Sequence, residues 1–273
     1  MSTTTQETES IPFSRRVRQE TKKIHTMAER CTFMRGFLRG AATKKSYRTY
    51  LAGFRKIYRT LEQCLERQRN HPVVKEFYFP ELHRATAIEK DLAYFGGAQL
   101  ETSDPFTENW CEKLRLRRWG LGEPLEHEAS LKAVFSYCQH LEKIESTNPA
   151  FLVPHAYTRY MGDLSGGQIL ARIAAKSMGL DPARGGLSFY HFPEIQDHEA
   201  FKWEFRRRMD ALEEHGPEFT QNFIDETIQA FRLNIAFFET LKGNALLSAW
   251  RQIWPQRIEI DLPQTQPENY LSQ

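Results

Sequence analysis

The run from Ala156 to Leu170 sets a carboxylate beside bare backbone. Apolar residues flank it with helical periodicity, yet Gly162, Gly166 and Gly167 fall within six positions. Each glycine costs a helix interior roughly 1 kcal/mol against alanine. Gly162 and Gly166 are four apart and share one helix face. Such a face admits something flat and wide against the backbone, with Asp163 alongside to hold a water. The same spacing also suits a close crossing of two helices, and the two glycines alone do not choose between these uses.

A second constellation lies near the start of the chain. Arg18, Lys22, His25 and Glu29 fall at i, i+4, i+7 and i+11, one face of one helix. An imidazole there can ligate a metal ion, and Glu29, one turn on, can accept its other ring N–H. The cations stand one to two turns away, roughly 5–10 Å along the axis. The plainer alternative is a solvated basic face with an incidental histidine. Further on, Lys202 and Arg206 stand at i and i+4, and two cations on one face can pair with two carboxylates. Their neighbours Arg207 and Arg208 read as solvated surface. Phe231, Asn234 and Phe238 share one face at i, i+3 and i+7, which serves core packing or contact with a bound molecule equally well.

The elements that must position these groups are helical. Strand signals are scarce, and no hairpin dipeptide links alternating runs. Apolar periodicity predicts helices over 13–30, 32–39, 43–69, 86–95, 105–118, 125–145, 148–178, 197–215, 217–242 and 244–253. Thr43 and Asp197 suit N-caps, Pro217 a first helical turn, and Gly179 a C-terminal stop. The expected organisation is a polar tail over 1–10, one all-α domain over 11–254 and a flexible tail over 255–273. Hydrophobic residues make up 40% of the 273-residue chain and aromatics 12%, enough for a core. A net charge of +2 is too small to argue for nucleic acid. Cys31, Cys64, Cys111 and Cys138 form no CxxC pair, so neither a zinc site nor a disulfide framework is indicated and a reducing cytosol is the default. The first ten residues lack the apolar core of a signal peptide, and no run of 18 apolar residues occurs, so the chain reads as soluble.

The Ala156–Leu170 run closely resembles the distal-helix signature of heme oxygenases. Ile24-His25-Thr26-Met27-Ala28-Glu29 is similar to the family's iron-ligand helix. Tyr78-Phe79-Pro80-Glu81-Leu82-His83-Arg84 and Asp91-Leu92-Ala93 resemble a family connecting segment. Phe201-Lys202 through Arg206-Arg207-Arg208-Met209 is similar to the basic helix over the heme edge, and Phe231 through Phe238 resembles the last pocket helix. The likeness runs from about Phe13 to Leu246. It departs near Cys111 to Lys132, where the chain is longer than the family pattern requires.

The resemblance implies a single-domain multi-helix fold with heme b sandwiched between a proximal helix and a kinked distal helix. His25 would be the iron ligand, oriented by Glu29. Arg18, Lys202 and Arg206 would meet the propionates and set the rotation of the ring. Gly162 and Gly166 would lie over the heme, leaving room only for a small diatomic ligand. Tyr157, Arg159 and Asp163 would belong to a hydrogen-bonded water network that delivers a proton without placing an acid on the oxygen. Phe231, Asn234 and Phe238 would line the pocket. The implied reaction is oxidative cleavage of heme to biliverdin, carbon monoxide and ferrous iron. Dioxygen is the oxidant, and a separate ferredoxin or flavoprotein reductase supplies electrons, since no flavin, nicotinamide or iron–sulfur motif occurs. The basic residues Arg15, Arg16, Arg18, Lys22 and Lys23 offer that donor a docking face. The expected protein is a cytoplasmic monomer without a C-terminal membrane anchor, or an organelle stromal one if a transit peptide has been removed. A heme store or sensor would keep His25 without the Asp163 network. A helical hydrolase of the thiaminase type would need a cysteine near the glycine run, and an interaction scaffold would have no use for the bare face.

Overall fold

Phe13, Val17 and Thr21 recur every four residues, and α1 (Phe13–Arg30) buries that side. The opposite side carries Arg18, Lys22, His25 and Glu29, all exposed. Cys31 is extended and breaks the helix before α2 (Thr32–Leu38). A capping box starts α3 (Lys44–Arg67): the Ser46 N–H donates to Thr43 Oγ1 at 3.1 Å, and the Thr43 N–H donates to Ser46 Oγ at 3.0 Å. The computed structural model describes residues 11–96 and 128–241. The helices expected at 105–118 and 244–253, both tails, Cys111 and most of the extra segment lie outside the described residues.

After α4 (Ala85–Gly96) come α5 (Glu128–Thr147), the 3-10 turn Pro149–Phe151 and α6 (Leu152–Ala156). A π turn over Tyr157–Met161 leads into α7 (Gly162–Met178), which stops at Gly179 with φ 62°. The sequence suggests one helix over 148–178; the structure divides it. A π turn inserts one residue into the helical ladder and bends the axis. It barely disturbs apolar periodicity, which is why the sequence did not reveal it. Asp197 caps α8 (His198–Ala211), accepting N–H bonds from Glu199 and Ala200 at 2.9 Å each. The turn Leu212–His215 and α9 (Pro217–Thr240) complete the described chain. It is all-α, with no strand among the described residues.

Helix α3 packs between α4 and α5, while α9 runs against α1, α5 and α6, and α8 lies on α1. Phe54 sits at the aromatic centre, its ring 4.4 to 5.9 Å from those of Tyr50, Tyr58, Phe189, Phe237 and Phe238. Next to it Gly53 makes room for the Phe237 ring of α9, with which a Cβ there would collide. Two buried charges pin the loop after α7. The Asp91 carboxylate accepts the Ser188 and Phe189 N–H groups at 2.7 and 2.8 Å. The Arg84 guanidinium donates to the carbonyls of Leu82, Glu81 and His191 and stacks 3.8 Å from the Phe192 ring. The segments resembling family connectors therefore brace the backing of α7.

Candidate active site

The face bearing Gly162 and Gly166 is open. A Cβ added at either glycine would meet nothing within 4 Å, whereas one at Gly167 would touch Tyr190 at 3.3 Å. The chain thus uses glycine in two ways. Gly53 seats the Phe237 ring, and the α7 pair leaves a bare wall.

Beside that wall Asp163 is buried, and so is its whole first shell. Tyr58 from α3 donates a hydrogen bond to Asp163 Oδ2. Arg159 in the π turn donates to Tyr58 Oη at 2.9 Å, to Asn234 Oδ1 at 2.7 Å and weakly to Asp163 Oδ1 at 3.4 Å. The Arg159 guanidinium also stacks 4.1 Å from the Phe54 ring. Asn234 turns its amide toward the Ala230 carbonyl at 2.7 Å and Tyr137 Oη at 3.5 Å. Burial pushes the Asp163 carboxyl above the usual aspartate range, against the pull of Arg159. Burial likewise raises the Tyr58 phenol, so it stays protonated and donates. Burial would lower Arg159, yet Tyr58 and Asp163 more than offset it and keep the guanidinium charged.

On α1 the His25 side chain is 54% exposed, with Nδ1 3.6 Å from Glu29 Oε1. Its ring meets Phe231 of α9 edge-on at 5.6 Å. One turn further along α9, Asn234 holds Arg159, so this helix ties both walls to one frame. Tyr157 does not join the hydrogen bonds around Asp163. It stacks near Phe205 at 6.2 Å, and its phenol, raised by burial, lies within reach of the charges of Arg206 and Arg18. Arg18 and Arg206 are exposed. Lys202 is not: its side chain is only 8% exposed and its ammonium pairs with Glu199. Phe238 belongs to the core, buried against Phe33, Tyr50 and Phe54. Asn234 is a bonded member of the buried network, and Phe231 alone of that trio touches His25.

Sequence reasoning missed Tyr58 and Tyr137. Each sits on a helix face that periodicity assigns to the core, and only the folded chain turns their hydroxyls toward Arg159 and Asn234. A groove of about 840 Å³ runs along α1, lined by Lys22, Lys23, Met27, Arg30, Arg35 and Ile235. Neither His25 nor the α7 glycines line it.

The arrangement fits a wide, flat, anionic molecule with a metal at its centre. It offers an exposed imidazole on α1, backbone without side chains on α7, and exposed cations at Arg18 and Arg206. Fold and site together define an all-helical heme-binding class of protein. The chain belongs to the heme oxygenase family, whose profile, described as heme oxygenase, matches residues 11–116 and 123–240. The break at 117–122 falls inside the segment read as extra, and Glu128–Lys132 of that segment is the first turn of α5. The chain is 38% identical to heme oxygenase 1 of Bos taurus over 84% of its own length and 71% of the relative's. It is 37% identical to heme oxygenase 1 of Nostoc sp. over 87% and 89%. Among solved structures, heme oxygenase from Leptospira interrogans superposes with a TM-score of 0.70 at 35% identity, covering 85% of this chain and all of that one. Heme oxygenase-1 from Synechocystis, determined in complex with heme, gives 0.70 at 31%, covering 90% and 99%. No helix among the described residues is long and apolar enough to cross a membrane.

Proposed function

We infer that the chain is a heme oxygenase, cleaving heme to biliverdin, carbon monoxide and ferrous iron with dioxygen and electrons from a separate protein. The observation that carries this is the open glycine wall beside a buried, hydrogen-bonded Asp163, together with an exposed histidine on α1. Bound heme supplies the iron at which dioxygen is activated and is itself the molecule cleaved. His25 would hold the iron through Nε2, with Glu29 Oε1 3.6 Å from its other ring nitrogen and able to approach it. Arg18 and Arg206 would pair with the propionates, and Lys202 would join them by sharing its ammonium with Glu199. These cations would orient the ring.

On the other wall Asp163 holds a water. Tyr58 occupies Oδ2, while the 3.4 Å contact from Arg159 leaves Oδ1 room for a second donor. A water on Oδ1 can pass a proton into the space over Gly162 and Gly166 without a side chain entering it. Arg159, fixed by Tyr58 and Asn234, opposes the upward push of burial on that carboxyl and aims it. Tyr157 guards the edge near Arg18 and Arg206. The donor is a ferredoxin or flavoprotein reductase whose acidic surface docks on the basic side of α1. The protein works as a cytosolic monomer. Adding one equivalent of hemin, then a reductant in air, tests the reading. A histidine-type Soret band should form and give way to biliverdin absorbance. A Soret band that persists under turnover conditions would make this chain a heme binder without oxygenase activity.

A further inference from the structure

Behind the active site, on the far side of Asn234, three side chains from three helices converge. His140 of α5 and His155 of α6 each direct Nε2 at the same Glu226 Oε1 of α9, at 2.6 and 2.8 Å. One ligating atom of each residue lies within 4.8 Å of the other two. We propose that His140, His155 and Glu226 form a second metal site, separate from heme iron, which takes a divalent transition ion of the Zn²⁺ or Co²⁺ type.

Two imidazoles and one carboxylate are a ligand set for such ions, and three protein ligands leave a position for water. Each ligand stands on a different helix, so helix packing sets their spacing. The His155 side chain has no exposed surface, Glu226 is 17% exposed and His140 25%. The inner wall is therefore closed, and the outer side gives an ion both an entrance and solvent ligands. His155 directs one ring nitrogen, Nε2, at Glu226. The other ring nitrogen, Nδ1, lies 3.1 Å from Tyr137 Oη, the kind of outer partner that fixes a ligating histidine's tautomer.

The plain alternative is a hydrogen-bonded cluster in which both rings donate Nε2–H to one carboxylate. The present spacing is that of hydrogen bonds. Ligands around a tetrahedral ion at 2.0–2.1 Å stand about 3.3 Å apart, so an ion must push them outward by roughly half an ångström. His140, on the open side, can yield. On binding, the single ring proton of His155 shifts from Nε2 to Nδ1, so that Nε2 coordinates the ion through its lone pair and Nδ1–H donates to Tyr137 Oη. That fixes a hydroxyl that Asn234 also contacts, and Asn234 holds Arg159 beside Asp163. The site thus sits at the outer end of the hydrogen-bonded chain that supports the reacting side.

Calorimetric titration of Zn²⁺ into the full chain, apo and heme-loaded, tests the assignment. One saturable equivalent is expected in wild type and in His25→Ala. His140→Ala and Glu226→Gln should weaken it at least ~10-fold, since even loss of an outer partner costs 10–100-fold. Saturating Zn²⁺ should raise the wild-type Tm but not that of His140→Ala. Should either variant misfold, the wild-type ¹⁵N imidazole resonances decide: those of His140 and His155 must shift on Zn²⁺ addition. No saturable binding, unchanged binding in both variants, its loss in His25→Ala, or stationary His140 and His155 resonances would overturn the site.

Discussion

The His25 wall and the Asp163 wall are built in opposite ways. The first is a stripe on a single helix, α1, and its functional side chains are exposed. The second draws Tyr58 from α3, Arg159 from the π turn, Asp163 from α7 and Asn234 from α9, and every one of them is buried. An exposed stripe holds a ligand and contributes little to the fold. A buried polar network must be satisfied for the chain to fold at all, since each orphaned group costs about 1–3 kcal/mol. Binding and proton handling are therefore placed where mutation has different consequences.

The largest effect should come from His25→Ala. Turnover of heme should fall by at least ~100-fold, while Tm stays near wild type, because the exposed ring adds little buried area. Added imidazole should partly restore activity. A marked loss of Tm would mean that the stripe is structural and the contrast between the walls is false.

The glycines sharpen the comparison. Gly53→Ala should destabilise by roughly 1–3 kcal/mol or more, since the Phe237 ring cannot step aside without disturbing the aromatic core. Gly166→Ala should leave stability unchanged or raise it by about 0.5–1 kcal/mol, through helix propensity alone. Denaturant melts of the two variants read this directly. Equal losses at both positions would show that the α7 wall is packed rather than open.

A smaller effect concerns pH. Glu62 on α3 accepts the Arg84 and Ala85 N–H groups, and burial raises its carboxyl to about 7. A carboxyl raised on folding favours the native state fully below its unfolded value of 4.5, and that contribution is lost as pH climbs through 7. The shift sets a ceiling of about 3 kcal/mol, and water reaching this half-buried side chain reduces it to on the order of 1 kcal/mol. Glu62→Gln should therefore melt higher than wild type at pH 8 and alike at pH 4. A stabilisation independent of pH would place its cause elsewhere.

The same contrast explains what the sequence disclosed. Arg18, His25 and Glu29 were readable because one helix carries them at fixed spacing. Thr43, Asp197, Pro217 and Gly179 marked helix ends through local chemistry, and each performs that task in the structure. Asp163 and Arg159 were visible through the glycines beside them. Tyr58 and Tyr137 were not, because a tyrosine on an apolar face looks like core until its hydroxyl finds a partner a hundred residues away. Lys202 looked like a free cation because its pairing with Glu199 competes with the role its position suggests. The π turn was hidden for a different reason: one inserted residue leaves the apolar period almost intact.

The division of labour between the walls is tested most directly by Asp163→Ala, measuring hemin affinity and biliverdin yield on the same preparation. The exposed His25 side should bind hemin within about 3-fold of wild type, while loss of the anchored water lowers biliverdin yield by at least ~100-fold and lets oxidation of a phenolic peroxidase substrate rise. Full biliverdin yield from the alanine variant would remove Asp163 and its buried network from the chemistry. Loss of hemin binding would show that the two walls are not separate in function.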